Sequence, residues 1–221
     1  MTSIEQYSSL GIEVHQAYGL TETCGPGCLL DGSDALAKAG STGKAFFHTD
    51  VMVVDENMQE VADNVPGEIL IRGRHVMKEY WNRPEATQET LIDGWVKTGD
   101  LATRDEDGYI YIIDRVKDML ISGGENIYPA EIENIILAHP SVAEVAVIGQ
   151  HSERWGESPL AVVVRSDEGL DAQKILDHCE GKLAKFKMPK SVEFVDEIPR
   201  NPAGKVLKRV LRKQFRMPAQ A

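Results

Sequence analysis

The chain has 221 residues, 42% hydrophobic and 27% charged, with a formal net charge of −11. That length suits one large domain or two small ones with a proper core, and the composition excludes a disordered chain. No apolar run approaches the ~18 residues of a membrane-crossing helix, and "MTSIEQYSSLG" lacks the basic flank and apolar core of a secretory leader.

The elements follow in chain order. Ile4 to Leu10 reads as the end of a helix stopped by Gly11, and "IEVHQAYG" alternates as a strand that runs into "YGLTETCGPG". From Gly43 to Gly73 short strands alternate with turns, "VMVVD" and "GEILIRG" among them. "NRPEATQETL" predicts a short helix with Pro84 near its first position. "GWVKTGDLATRDEDGYIYIIDR" predicts a hairpin turning at Asp107-Gly108. After Arg115 the texture changes to a glycine-bearing loop, "VKDMLISGGEN", and then an amphipathic helix, "YPAEIENIILAHP". Strands "VAEVAVIGQ" and "SPLAVVVR", a helix from about Asp171 to Lys185, strand "SVEFVDEI" and a basic helix from about Lys205 to Gln214 complete the chain. This alternation predicts a separate α+β domain of about a hundred residues. The boundary is placed within Asp114–Asp118, giving domains 1–114 and 115–221.

Charge is unevenly spread. Residues 1–181 hold 13 Lys/Arg against 32 Asp/Glu, whereas residues 182–221 hold 11 against 3. With three scattered aromatics, Phe186, Phe194 and Phe215, the basic stretch is a poor nucleic-acid platform and a better seat for a small polyanion. Cys24, Cys28 and Cys179 are too few and too odd in number for a disulfide framework, which points to a reducing cytoplasm. Cys24 and Cys28 flank "GPG", but no neighbouring His or Cys cluster completes a zinc site.

Five motifs carry candidate chemistry. In "YGLTE" a hydroxyl and backbone N–H groups can face a phosphate, and the adjacent carboxylate can hold a divalent cation; taken alone, the string reads better as a strand-ending turn. "AGSTGKA" fails as a phosphate-binding P-loop because Lys38 and Ala45 stand where Gly and Ser/Thr are required. "GWVKTGD" puts Asp100 beyond a glycine at a strand end, and Asp114-Arg115 closes the returning strand. A carboxylate and a guanidinium so placed suit two ribose hydroxyls, or form an ordinary surface ion pair. "ISGGENIYPAEIE" joins paired glycines to a helix start, and "IPRNPAGKVLKR" sets Lys205 after an Asn-Pro-Ala-Gly turn.

In this order and spacing the motifs resemble the adenylate-forming family: acyl- and aryl-CoA synthetases, luciferases and the adenylation domains of peptide synthetases. The resemblance runs from Gly11 to about Lys213. It implies the end of a three-layer α/β domain with its β-rich subdomain, followed by a small, separately moving C-terminal α+β domain. It further implies an ATP-dependent acid–CoA ligase that works through an acyl-adenylate on a fatty or hydroxycinnamate-like acid, with ATP/AMP, Mg²⁺ and CoA as its small molecules. Gln16, Ala17 and Tyr18 would line the adenine pocket with Ile112 beside the base. Thr21 would bond the α-phosphate, Glu22 would hold Mg²⁺, and Asp100 and Arg115 would bind the ribose. Lys205 would meet charge developing in adenylation, Lys117 would be the hinge, and Asn126 would lie near the adenylate. Gly123 and Gly124 would face the pantetheine arm, and the basic surface from Lys182 onward the nucleotide end of CoA. Ile121 stands where luciferases and some plant ligases carry Lys, which favours a bacterial acyl- or aryl-CoA synthetase.

The family's Ser/Thr/Gly-rich phosphate loop has no match here. The chain is therefore expected to correspond to the C-terminal half of such an enzyme and to be inactive alone, with a complementing N-terminal half as partner. Its first ~17 residues are expected to be mobile or paired elsewhere, because an edge strand without neighbours invites a partner. The alternatives are a catalytically silent binding module and an adenylation enzyme that loads a carrier protein.

Overall fold

The computed structural model describes residues 3–215. The chain divides between Val116 and Lys117 into two compact units, two residues beyond the border expected at 114/115.

The first unit opens with α1 (Ser3–Ser9), whose Ile4 packs beside Leu30, Ala35 and Tyr109. Strand β1 (Gln16–Leu20) pairs antiparallel with β2 (Gly25–Leu30), and β2 pairs with the short β3 (Lys44–Ala45). The predicted strand was longer; Ile12 to His15 lie outside it. A second sheet runs β4 (Thr49–Val54), β5 (Gly67–Gly73) and β7 (Trp95–Arg104). The free edge of β7 is shared by β6 (Leu91–Ile92) at one end and β8 (Ile110–Arg115) at the other. Helix α2 (Pro84–Thr90) starts with Pro84 in the first turn, as its sequence predicts. Alternate inward residues Val53, Ile69, Ile71, Ala102 and Ile110 meet Cys28 of β2 in one apolar cluster.

The segment that mimics a P-loop belongs to this framework. Ser41 is fully buried and its hydroxyl donates to the Ile110 carbonyl at 2.9 Å, while Gly43 N–H donates back to Ser41 Oγ at 2.9 Å. Gly43 has φ +93°, and a Cβ there would lie 1.9 Å from the Leu29 carbonyl carbon. Only glycine allows this approach.

The second unit begins with β9 (Leu120–Ser122) and β10 (Glu125–Ile127), a hairpin where the sequence reading expected only a loop. Three-residue strands are too short to show alternation, so only the Gly123-Gly124 turn between them was legible. Then come α3 (Pro129–Leu137), β11 (Val142–Ser152), β12 (Gly156–Arg165), α4 (Ala172–Cys179), β13 (Ser191–Phe194) and α5 (Lys208–Phe215). The strands form one sheet in the order β10-β9-β12-β11, with β13 parallel to β12. Val147, Ala161 and Val163 point to Ile132 and Ile136 of α3 and Ile175 of α4. Their neighbours Ala146, Ile148, Leu160 and Val162 point the other way, to Ile198 and to Leu211 of α5. The period of two thus puts helices on both faces of β11–β12 and explains why those strands read as continuous apolar runs. Truncating Ile132 or Ile136 to Ala is worth about 2–5 kcal/mol in such a core.

In the second unit α4, β13 and α5 are likewise shorter than expected. α4 ends at Cys179 rather than Lys185, because Glu180 is extended and Gly181 has φ +73°. β13 stops at Phe194, and α5 starts at Lys208 because residues 200–206 fold into a turn of their own. Residues 216–221 of the basic stretch lie outside the described residues. No helix of the described residues is long and apolar enough to cross a membrane.

Candidate functional site

In the first unit, β1 carries Gln16, Ala17 and Tyr18 and runs into a single 3₁₀ turn, Thr21–Thr23. Thr23 builds that turn. Its buried hydroxyl accepts from Leu20 N–H at 2.9 Å and donates to the Gly25 carbonyl at 2.7 Å. Thr21 and Glu22 are thereby held on the outside of the turn: Thr21 is exposed, and its hydroxyl has no hydrogen-bond partner among the described residues. Glu22 is anchored from a segment that sequence reasoning missed. Tyr80 O–H donates to Glu22 Oε1 at 2.6 Å, and Met77 N–H donates to the Glu22 carbonyl at 2.7 Å. Burial and the Glu22 carboxylate both raise the Tyr80 pKa, so the phenol stays protonated as a donor. The other carboxylate oxygen of Glu22 has no partner among the described residues, which fits a single-oxygen ligand for a divalent cation.

Asp100 lies inside β7, not at a strand end as expected, at an irregularity where the pairing with β8 shifts register just beyond it. It stands directly opposite Arg115, and Arg115 Nε donates to Asp100 Oδ1 at 3.3 Å. Tyr18 O–H donates to the other oxygen, Oδ2, at 2.7 Å. Burial first, then the hydrogen bond to Asp100, pushes the Tyr18 pKa far up, so this bond persists across the working pH range. Thus the structure brings Tyr18, Asp100 and Arg115 together as one hydrogen-bonded row. The Asp100 side chain is 13% exposed and Arg115 43% exposed. Each Asp100 oxygen keeps a free lone pair and Arg115 keeps its terminal N–H groups, so the row retains both acceptors and donors for a vicinal diol. Ile112 is half-buried and packs toward the apolar cluster together with Tyr18 and Leu20.

The second unit holds the remaining candidates. Gly123 and Gly124, with φ of +60° and +88°, form the tight turn between β9 and β10. Gly123 N–H donates to the Trp155 carbonyl at 2.9 Å, and a Cβ on Gly123 would lie 2.8 Å from the Trp155 ring. Asn126 is exposed on β10, and Lys117 is exposed in a 3₁₀ turn, Val116–Asp118. That turn is pinned by Asp118, whose buried carboxylate accepts from Arg212 of α5 at 2.8 Å. Lys205 sits in a rigid loop: Asn201 Oδ1 accepts from the backbone N–H of both Ala203 (3.0 Å) and Lys205 (2.9 Å). Arg200 closes the loop by donating to the Gly204 carbonyl at 2.8 Å and to Glu144 at 2.6 Å. The backbone of Lys205 is fixed while its ammonium has no partner among the described residues.

The sequence profile described as "AMP-binding enzyme" matches residues 2–81, and that described as "AMP-binding enzyme C-terminal domain" matches residues 131–205. A long-chain-fatty-acid–CoA ligase of Mycobacterium tuberculosis, FadD13, is 50% identical over 212 residues, which are 96% of this chain and 42% of that protein. The o-succinylbenzoate CoA synthetase of Bacillus subtilis, solved with its acyl-adenylate intermediate, superposes with a TM-score of 0.89 at 39% identity. That match covers 95% of this chain and 43% of the other. The same synthetase with ATP and magnesium ion superposes at 0.86, again at 39% identity, over 96% and 43% of the two chains. The chain thus spans less than half the length of the relatives it matches.

Proposed function

The chain belongs to the AMP-binding enzyme family, and from that premise we propose that it carries part of the active centre of an ATP-dependent acid–CoA ligase. The reaction joins a fatty or aryl carboxylic acid to AMP with release of pyrophosphate, then passes the acyl group to the thiol of CoA. The observation that carries this reading is the row Tyr18–Asp100–Arg115 beside a Glu22 held in place by Tyr80.

Each residue has a task its local chemistry suits. Asp100 and Arg115 bind the two ribose hydroxyls, with Tyr18 holding the carboxylate in orientation. Gln16, Ala17 and Ile112 border the base. The free Thr21 hydroxyl donates to an α-phosphate oxygen, and the free Glu22 oxygen is the ligand for Mg²⁺, which when bound neutralises phosphate charge. Lys205, fixed at its backbone, presents a cation to charge that builds during adenylation; a single donor of this kind is worth about 10²–10³ in rate. Gly123 and Gly124 offer exposed backbone to the pantetheine arm, the exposed Asn126 amide lies near the adenylate, and Lys117 is the hinge.

The chain by itself is expected to turn over almost no substrate. Its phosphate-loop lookalike, Ser41–Lys44, spends both hydroxyls on the Ile110 carbonyl and the Gly43 N–H on Ser41, and Lys44 Nζ lies over the Tyr109 ring, so no backbone cradle for a triphosphate forms there. The test is complementation. The chain is mixed with a polypeptide carrying the upstream portion of a related ligase, and acyl-CoA is followed by mass spectrometry with a fatty and an aryl acid. Thioester is expected in the mixture, neither component forming it alone, and Lys205→Ala is expected to abolish it. Full activity of Lys205→Ala, or of the isolated chain, contradicts the reading.

A further inference from the structure

In the second unit, α5 and the ends of β11 and β12 enclose a cavity of about 400 Å³. Its lining contains no phenyl or indole ring and no purely aliphatic side chain. The hairpin strands supply Gly149, Gly156, His151 and Glu157, and α5 supplies Arg209, Arg212 and Lys213. Helix α5, "KRVLRKQF", carries four cations and no carboxylate. Two of the four are paired: Lys208 with Glu133 at 2.7 Å and Arg212 with Asp118 at 2.8 Å. The other two, Arg209 and Lys213, are exposed, and their side chains have no hydrogen bond or ion pair among the described residues. They stand four residues apart on one helix face, the spacing at which like charges repel. Arg212 spends one terminal nitrogen on Asp118 and keeps further N–H groups of its guanidinium to give. The His151 ring likewise has no partner among the described residues. Glu157 is the opposing charge in the lining, and its Oε2 accepts from the Ile121 N–H at 3.3 Å.

Two free cations and one shared guanidinium, set by a helix along one side of a small cavity, suit an anion with several charges and several oxygens. A monocarboxylate would leave one of the cations uncompensated. An ester with an organic body would find no apolar wall to lie on, since ligand bodies are ordinarily held by apolar and aromatic side chains. We propose that this cavity is a seat for a compact inorganic phosphate anion of high charge, best filled by diphosphate, held by Arg209, Lys213 and the spare N–H groups of Arg212. The inference does not rest on the ligase reading: none of the side chains assigned above to ribose, α-phosphate or Mg²⁺ lines this cavity.

The test is calorimetric titration of the full chain, at constant ionic strength and without divalent metal, with inorganic diphosphate and with phenyl phosphate. Saturable diphosphate binding is expected, with phenyl phosphate about tenfold weaker. The double variant Arg209→Gln, Lys213→Gln is expected to weaken diphosphate about tenfold or more through loss of charge-assisted contacts. Glu157→Gln removes the opposing charge while its amide oxygen can still accept from Ile121, so diphosphate is expected to bind about threefold tighter. Thr21→Ala and Lys205→Ala are expected to leave the affinity unchanged, which separates this cavity from the proposed catalytic phosphate contacts. Arg209, Lys213 and Glu157 are exposed, so their variants should melt with the wild type, and a melting curve for each confirms it. Absence of saturable diphosphate binding, equal affinity for phenyl phosphate, an unchanged double variant, a Glu157→Gln variant that binds no tighter, or binding lost in Thr21→Ala or Lys205→Ala each overturns the proposal.

Discussion

Individual side chains here are defined by what they leave free as much as by what they bond. Glu22 spends one oxygen on Tyr80 and keeps the other, and Asp100 divides its two oxygens between Tyr18 and Arg115. Tyr18→Phe would remove the donor that orients Asp100. It is expected to cost about 1 kcal/mol of stability, read from denaturant midpoints, and more in nucleotide affinity than in stability. The cysteines give a second check. Cys24 is exposed while Cys28 and Cys179 are buried, so a thiol reagent should modify one cysteine in the native chain and three after denaturation. Burial pushes the Cys28 thiol up to about 12 from its ordinary 9.0. A raised folded-state pKa means the unfolded chain loses its proton first. The stability from a neutral, buried Cys28 is therefore complete below pH 9 and lost as pH rises toward about 12. A Cys28→Val variant should show a shallower fall of melting temperature over that window, and an equal fall would contradict it.

At the scale of elements, two tight turns depend on glycine. Gly43→Ala would force a Cβ into the Leu29 carbonyl at φ +93° and is expected to prevent stable folding of the first unit. Gly123→Ala meets only the edge of the Trp155 ring, which can give, so a loss of about 1–3 kcal/mol is expected for the second unit, measured by urea unfolding. Much of this level was legible from sequence: Pro84 and Pro129 mark helix starts, and Asp107-Gly108 marks the β7–β8 turn. Local signals failed where pairing decided the outcome. The three-residue strands β9 and β10 exist because their backbones pair around Gly123-Gly124, and Asp100 is mid-strand because β5 and β8 extend past it. Tyr80 escaped notice because it lies outside every helix and strand, and no spacing links it to Glu22, 58 residues away. The Asn201 turn, by contrast, left its mark in "NPAG"; what the sequence lacked was its consequence, a Lys205 with fixed backbone and free ammonium.

For the whole molecule, the proposed function assigns the two units complementary parts of one chemistry: to the first a ribose row, a phosphate-facing hydroxyl and a cation ligand, to the second Lys205 and the Gly123-Gly124 turn. Each has its own core, so each is expected to retain folded structure when the other is weakened by a core substitution such as Ile132→Ala. Two separate calorimetric transitions in that variant would show it, and one concerted transition would not. The most direct measurement concerns the row itself: equilibrium titration of AMP into the full chain and into Asp100→Ala and Arg115→Ala. Single-site binding is expected, weakened about tenfold or more in each variant by loss of ribose hydrogen bonds to a charged group. Binding unchanged in both variants, or no binding to the wild-type chain, would mean that the Tyr18–Asp100–Arg115 row is only a structural ion pair.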